Sequence, residues 1–234
     1  LKKRLEIMLI NRLIIYIEVN MAADESKTGE IWVNKFDEES AKDFRESVIS
    51  ISKYDPNRPI LIYIDSYGGM VDSLAKMIET LDEVHNPIIT ICMGKAMSCG
   101  AVLLSHGDLR FCGQHSRVMI HEISSGTSGD VHDMHADTQE VKRLNEYFMG
   151  LLARNCGYKG YSELRKLIKD QDGRERYLDA ESAVKFGVVD AVGLPKLSSM
   201  ALYEVSLASE KTESLRQVRA NKASKKSSSK NKKG

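Results

Sequence analysis

At 234 residues, with 42% hydrophobic and 29% charged, the chain has the profile of a soluble globular protein with one sizeable core. Its formal net charge of +1 gives no overall electrostatic case for nucleic acid, and no apolar run approaches the roughly 20 residues of a membrane span. The four cysteines, Cys92, Cys99, Cys112 and Cys156, lack the spacing of a secreted disulfide scaffold or a CxxC metal site, which points to a reduced, cytosolic chain.

In chain order, "LKKRLEIMLINRLIIYIEV" is broken by charges and has no small-residue cleavage site, so it reads as a helical or loose start followed by a strand over Arg12 to Val19. "EIWV" (Glu30 to Val33) reads as a further strand. "EESAKDFRESVISI" sets Ala41, Phe44, Val48 and Ile51 at helical spacing. "PILIYID" (Pro59 to Asp65) is a continuous apolar strand of the kind covered on both sheet faces. After "SYGG" a helix carries Val71, Leu74, Met77, Ile78 and Leu81 on one face, and after "HNP" comes another buried strand, "IITICM". "SRVMIHE" (Ser116 to Glu122) is a short strand, "SSGTSGD" (Ser124 to Asp130) is flexible by composition, and a long helix is expected from about Asp137 to Asn155. "AESAVKFGVVDAV" gives a short helix ended by Gly187 and a closing strand. This order of strand and helix implies parallel strands joined by right-handed crossovers, an α/β core. The Lys- and Ser-rich ending, "RANKASKKSSSKNKKG", reads as a disordered, solvated basic tail.

Three segments bring chemistry to strand ends. "DSYGGM" closes a buried strand with paired glycines, which let a backbone approach a ligand and aim N–H groups into a cleft. "AMSCGA" follows the next buried strand and its turn and opens a helical run, where unpaired N–H groups favour negative charge. "VMIHE" brings His121 to the end of a third strand, and open α/β folds place their sites where strand ends converge. A serine needs a base to take its proton, and acyl transfer needs donors for the oxyanion. Ser98, His121 and the N–H groups of Gly69 and Cys99 are of the right types; by spacing alone Ser98 reads equally as a small packing residue and His121 as a satisfied strand-end histidine.

The motifs resemble those of the ClpP peptidases, the proteolytic subunits of ATP-dependent Clp machines. "DSYGG" looks like the family's "NSPGG", "GKAMSCGAVLL" like "GQAASMGAFLL" and "SRVMIHE" like "SRVMIHQ", in the same order and with the same interval from the paired glycines to the serine. The resemblance runs from about Arg12 to Val192. It implies a ClpP/crotonase-like fold, a spiral of βαβ units with a protruding handle helix, in a peptidase domain over 1–195 followed by a C-terminal extension over 196–234.

Carried over by position, Ser98 is the nucleophile and His121 the general base that later protonates the leaving amine. Gly69 and Cys99 match the oxyanion-hole positions, and Gly68, Gly69 and Met70 the stretch that binds substrate. "SSGTSGD" and the helix after it match the handle through which two rings meet. The resemblance further implies stacked heptameric rings, unfolded polypeptide as substrate, an AAA+ unfoldase as partner, a cytoplasmic location, no metal or organic cofactor, no specific nucleic acid and no membrane. The chain has no GxxxxGK[ST] phosphate loop, so nucleotide is left to the partner.

Aligning "RERYLDAESAV" puts Glu175 where the family usually carries Asp, with Asp172 as the alternative third member. The extra methylene changes the reach by roughly one bond. Tyr67 replaces the usual proline before the glycines, removing a φ restraint, and Lys95, Met70 and Met97 also depart from the family pattern; Met97 is expected in the core. Cys99 is a competing thiol nucleophile, since a cysteine at a helix start can have a lowered pKa. "HDMH" (His132 to His135) has i, i+3 spacing but no third ligand, and reads as a surface pair. Other readings are a noncatalytic ring subunit, a phage-type capsid-processing peptidase, and a crotonase-type acyl-CoA enzyme.

Overall fold

Two apolar segments, Ile60–Ser66 and Ile88–Met97, lie side by side as parallel neighbours at the centre of one sheet. The computed structural model describes residues 29–124, 129–169 and 175–196. The expected strand from Arg12 to Val19, part of "SSGTSGD", the candidate acid Asp172 and the basic tail lie outside the described residues.

The elements run β1 (Glu30–Val33), α1 (Glu38–Tyr54), β2 (Ile60–Ser66), α2 (Val71–Glu83), β3 (Ile88–Met97), α3 (Cys99–Ser105), β4 (Leu109–Cys112), β5 (Arg117–His121), α4 (Val131–Asn155), α5 (Tyr161–Lys169), β6 (Glu175–Asp179), α6 (Ala180–Phe186) and β7 (Ala191–Val192). Strand order is β1-β2-β3-β4-β7, and β5 leaves this row to pair with β3 and β6. The β1, β2, β3, β4, β5 and β7 pairings are parallel, as the alternation of strand and helix implies; β5 with β6 is the antiparallel exception.

Local chemistry explains the helix boundaries. Asp37 and Ser40 form a capping box at α1: Ser40 N–H donates to Asp37 Oδ1 at 2.8 Å, and Asp37 N–H donates to Ser40 Oγ at 3.0 Å. Asp130 caps α4 by accepting from the N–H groups of His132 and Asp133, so this helix starts six residues before the expected Asp137. Asp179 caps α6, and Gly187 ends it in the left-handed conformation.

The core gathers one face of each helix against the sheet. Ala41, Phe44 and Val48 of α1, Leu74 and Met77 of α2, and Leu152 of α4 are buried with Ile62 and Ile64 of β2. Each large side chain so buried contributes on the order of 1.5–3 kcal/mol before entropy is counted. The opposite is true of α4 before residue 141, where every residue from Val131 to Glu140 is exposed and only the C-terminal half, from Phe148, is buried.

Three expectations are corrected. No turn separates "IITICM" from "AMSCGA": β3 runs through to Met97 and hands the chain directly to Ser98, its pairing with β2 shifting between Ile64 and Ser66. Met97 is half-buried at the strand end instead of in the core. The closing strand shrinks to Ala191–Val192.

Candidate active site

One strand organises the site. The first part of β3, Ile89 to Cys92, pairs with β4, and its last part, Lys95 to Met97, pairs with β5, because β4 is too short to follow it. Met97 therefore lies against Met119, and the next residue, Ser98, donates its backbone N–H to Met119 O at 2.9 Å. Two residues further along β5 is His121. Its Nε2 lies 2.8 Å from Ser98 Oγ, within hydrogen-bond reach and in a partly buried setting.

The serine is presented by a strained backbone. Ser98 has φ 55° and ψ −118°, making it the one non-glycine residue with positive φ among the described residues. Such a conformation costs on the order of 1–3 kcal/mol and persists where surrounding structure imposes it. Ser98 is the N-cap position of α3, yet its side chain makes no capping bond, which leaves the hydroxyl to His121.

The paired glycines are required on both sides. A Cβ on Gly68 (φ 102°) would stand 2.7 Å from Ser98 Cβ, and one on Gly69 (φ 153°) would stand 2.5 Å from Phe36 O. Phe36 bridges to Gly69 and accepts the Met70 N–H at 2.7 Å, while Gly68 N–H donates to Ser66 Oγ at 3.1 Å. Met70 is 46% exposed beside them. These contacts were not signalled by any motif; they come from the chain entering α1 beside the end of β2.

Cys99 is buried and its thiol donates to Gly69 O at 3.3 Å. Burial pushes this thiol above its ordinary pKa, the reverse of what its place at a helix start suggested, so the neutral form dominates. Beyond Ser98 and His121 a small cavity of about 80 Å³ opens, with Val71, Leu74, Val102, Phe148 and Met149 in its walls. Phe148 was visible as part of a helix face; its use as a wall follows from α4 returning over α3.

Glu175 is placed directly opposite His121 in the antiparallel β5–β6 register, and directly opposed side chains share a sheet face. Among the described residues, however, its side-chain hydrogen bond is with Tyr177, whose hydroxyl donates to Glu175 Oε2 at 2.9 Å, and not with His121. Sequence reasoning missed Tyr177 entirely. On the far side of the strand end, the Glu122 carboxylate accepts from Arg165 Nε at 2.7 Å and from the Tyr161 hydroxyl, fastening β5 to α5.

Tyr67, in place of a proline, is 75% exposed and lies under Lys95, whose Nζ is 4.4 Å from the ring centroid and 2.6 Å from Asp65 Oδ1. His132 and His135 are both exposed, and no group of three or more His, Cys, Asp or Glu among the described residues is arranged to hold a metal. No helix among the described residues is long and apolar enough to cross a membrane.

Residues 26–196, most of the chain, match the family described as Clp protease. The chain belongs to the Clp protease family. Among curated relatives, ATP-dependent Clp protease proteolytic subunit 1 of Corynebacterium diphtheriae is 35% identical over 159 residues, covering 67% of this chain and 74% of that protein. ATP-dependent Clp protease proteolytic subunit 3 of Nocardia farcinica is 35% identical over 160 residues, covering 67% of this chain and 70% of that protein. Membership in the Clp protease family makes this a Clp-type peptidase chain, and its α/β sheet with parallel core strands agrees with that fold.

Proposed function

We propose that this chain is a serine endopeptidase that hydrolyses peptide bonds of unfolded polypeptides through an acyl-enzyme, as the proteolytic subunit of a Clp-type complex. The observation that carries the reading is the 2.8 Å contact between Ser98 Oγ and His121 Nε2 at a positive-φ elbow. In this reading His121 takes the serine proton as Oγ attacks the carbonyl carbon, then returns it to the leaving amine; water, deprotonated by the same imidazole, releases the acyl group. The backbone N–H groups of Gly69 and Cys99 receive the oxyanion, and Gly68 to Met70 receive the substrate backbone. Glu175, opposite His121 in the strand register, is the orienting carboxylate in preference to Asp172.

The names of the relatives support an assembly worked with an ATP-driven partner. We take that partner to be an AAA+ unfoldase, the assembly to be stacked heptameric rings, and the compartment to be the cytoplasm. The exposed first half of α4 supports a handle that meets another ring.

The test is the intact mass of the protein after exposure to a fluorophosphonate, with Ser98→Ala in parallel. A gain of one probe in the parent alone supports the reading. One observation favours a second reading, a noncatalytic ring subunit: Glu175 is bonded to Tyr177 rather than to His121. A folded, assembled protein that takes no probe decides for it.

A further inference from the structure

We propose that Tyr177 is a positioning residue of this site: its phenol draws the Glu175 carboxylate away from His121 and thereby sets how often the line Ser98–His121–Glu175 is complete. The inference rests on the reading of Ser98 and His121 given above and deepens it.

The strand register makes the competition explicit. On one face of the β5–β6 pair, Glu175 stands opposite His121, and Tyr177 stands opposite Met119. Glu175 thus has two neighbours within reach, the imidazole across the strand pair and the phenol two residues along its own strand. The hydrogen bond goes along the strand, 2.9 Å from the Tyr177 hydroxyl to Oε2, while the imidazole keeps its bond to Ser98. The carboxylate oxygen that the phenol holds is bonded to it and not to the imidazole. The methylene that glutamate has over aspartate supplies the reach for this bond.

The arrangement is built to be reversible. Tyr177 is 56% exposed and Glu175 is exposed, so water can replace either partner at small cost. Donation to Glu175 keeps the phenol above its ordinary pKa, so it remains a neutral donor through the neutral range and the bond does not open by loss of the tyrosine proton. The remaining groups facing the imidazole leave Glu175 as its carboxylate of choice. The residues that line the cavity with His121 include no carboxylate: neutral Ser98 and Cys99 stand at the start of α3, and apolar Phe148 and Met149 come from α4. Glu122, next in sequence, is engaged by Arg165 and Tyr161 of α5.

The experiment compares the parent, Tyr177→Phe, Glu175→Gln and the double variant. Two quantities are read: the rate of fluorophosphonate labelling of Ser98 as a function of pH, and the pKa of His121 from histidine hydrogen–deuterium exchange followed by mass spectrometry. Tyr177→Phe frees Glu175 to meet the imidazole. The expected result is labelling raised about three- to tenfold, and a His121 pKa raised by roughly half to one unit, because an adjacent carboxylate favours the imidazolium. In the Glu175→Gln background Tyr177→Phe is expected to change neither quantity. An unchanged or lowered His121 pKa in Tyr177→Phe overturns the proposal, as does an effect that survives in the double variant. If Ser98 takes no probe in any variant, the nucleophile assignment falls by itself, and the His121 pKa still decides whether Tyr177 holds Glu175.

Discussion

The thiol of Cys99 donates to the carbonyl of Gly69 at 3.3 Å, so the residue after Ser98 is tied to the second of the paired glycines. The two residues whose N–H groups are proposed to share an oxyanion are thereby held in fixed relation. Burial raises the thiol pKa, so little thiolate is present near neutrality. Iodoacetamide treatment followed by peptide mass spectrometry is expected to leave Cys99 unmodified at pH 7–8, with modification rising only as pH climbs beyond the ordinary thiol range of about 8.5. Rapid modification of Cys99 at neutral pH, with loss of activity, would return the thiol to contention.

Substitution of either paired glycine meets a wall. Gly68→Ala drives a methyl into Ser98 Cβ, and Gly69→Ala drives one into Phe36 O, both at positive φ. Each variant is expected to lose at least 100-fold in fluorophosphonate labelling, since a shift of about 1 Å in a reacting group costs that much. The check is labelling rate alongside circular dichroism; labelling at the parental rate in a folded variant contradicts the geometry.

The backbone of Ser98 separates its chemistry from its cost. Ser98→Ala removes the hydroxyl and keeps the strain, whereas Ser98→Gly removes both, because glycine adopts φ 55° freely. Both variants are expected to be inactive, with Ser98→Gly the more stable by on the order of 1 kcal/mol. Thermal denaturation of the two, compared directly, measures the difference, and a lower Tm for Ser98→Gly refutes the strain argument.

The parts of this site that the sequence disclosed are those where one residue type does one thing. Ser98, His121 and the paired glycines sit at strand ends, and strand ends follow from apolar runs such as "PILIYID". What stayed hidden depends on pairing between distant strands. β4 and β6 went unrecognised because each short segment buries a single apolar residue, Cys112 and Leu178, whereas α5 sets Tyr161, Leu164 and Ile168 at helical spacing and was passed over. The partnership of Tyr177 with Glu175 follows from β6 being a strand, so it was out of reach until that strand was known.

Arg110 of β4 is the anchor of the far end of the sheet. Its guanidinium reaches both Asp190 oxygens, at 3.1 and 2.6 Å, and the carbonyls of Asn155 and Gly187, each at 2.9 Å. Arg110→Met is expected to lower stability by about 2–3 kcal/mol in urea titration, discounted for the partial exposure of Asp190. Burial alone would raise the Asp190 pKa, but bonds from Arg110 outweigh it and hold the carboxyl below its usual value. Its contribution is therefore present above the unfolded carboxylate pKa of about 3.9 and is lost as pH falls through the lower folded value. Stability of the parent should fall faster than that of Arg110→Met below pH 4; parallel acid profiles would remove this role.

Ser98 and His121 are joined by a 2.8 Å bond, yet between them the chain must complete α3, cross to β4 and return as β5. Neither residue meets the other in any local turn. An unfolded or half-folded chain therefore lacks the contact with His121, which forms only when the last part of β3 has found β5. Under the proposed function, a serine-directed probe applied during refolding is a clock for that pairing.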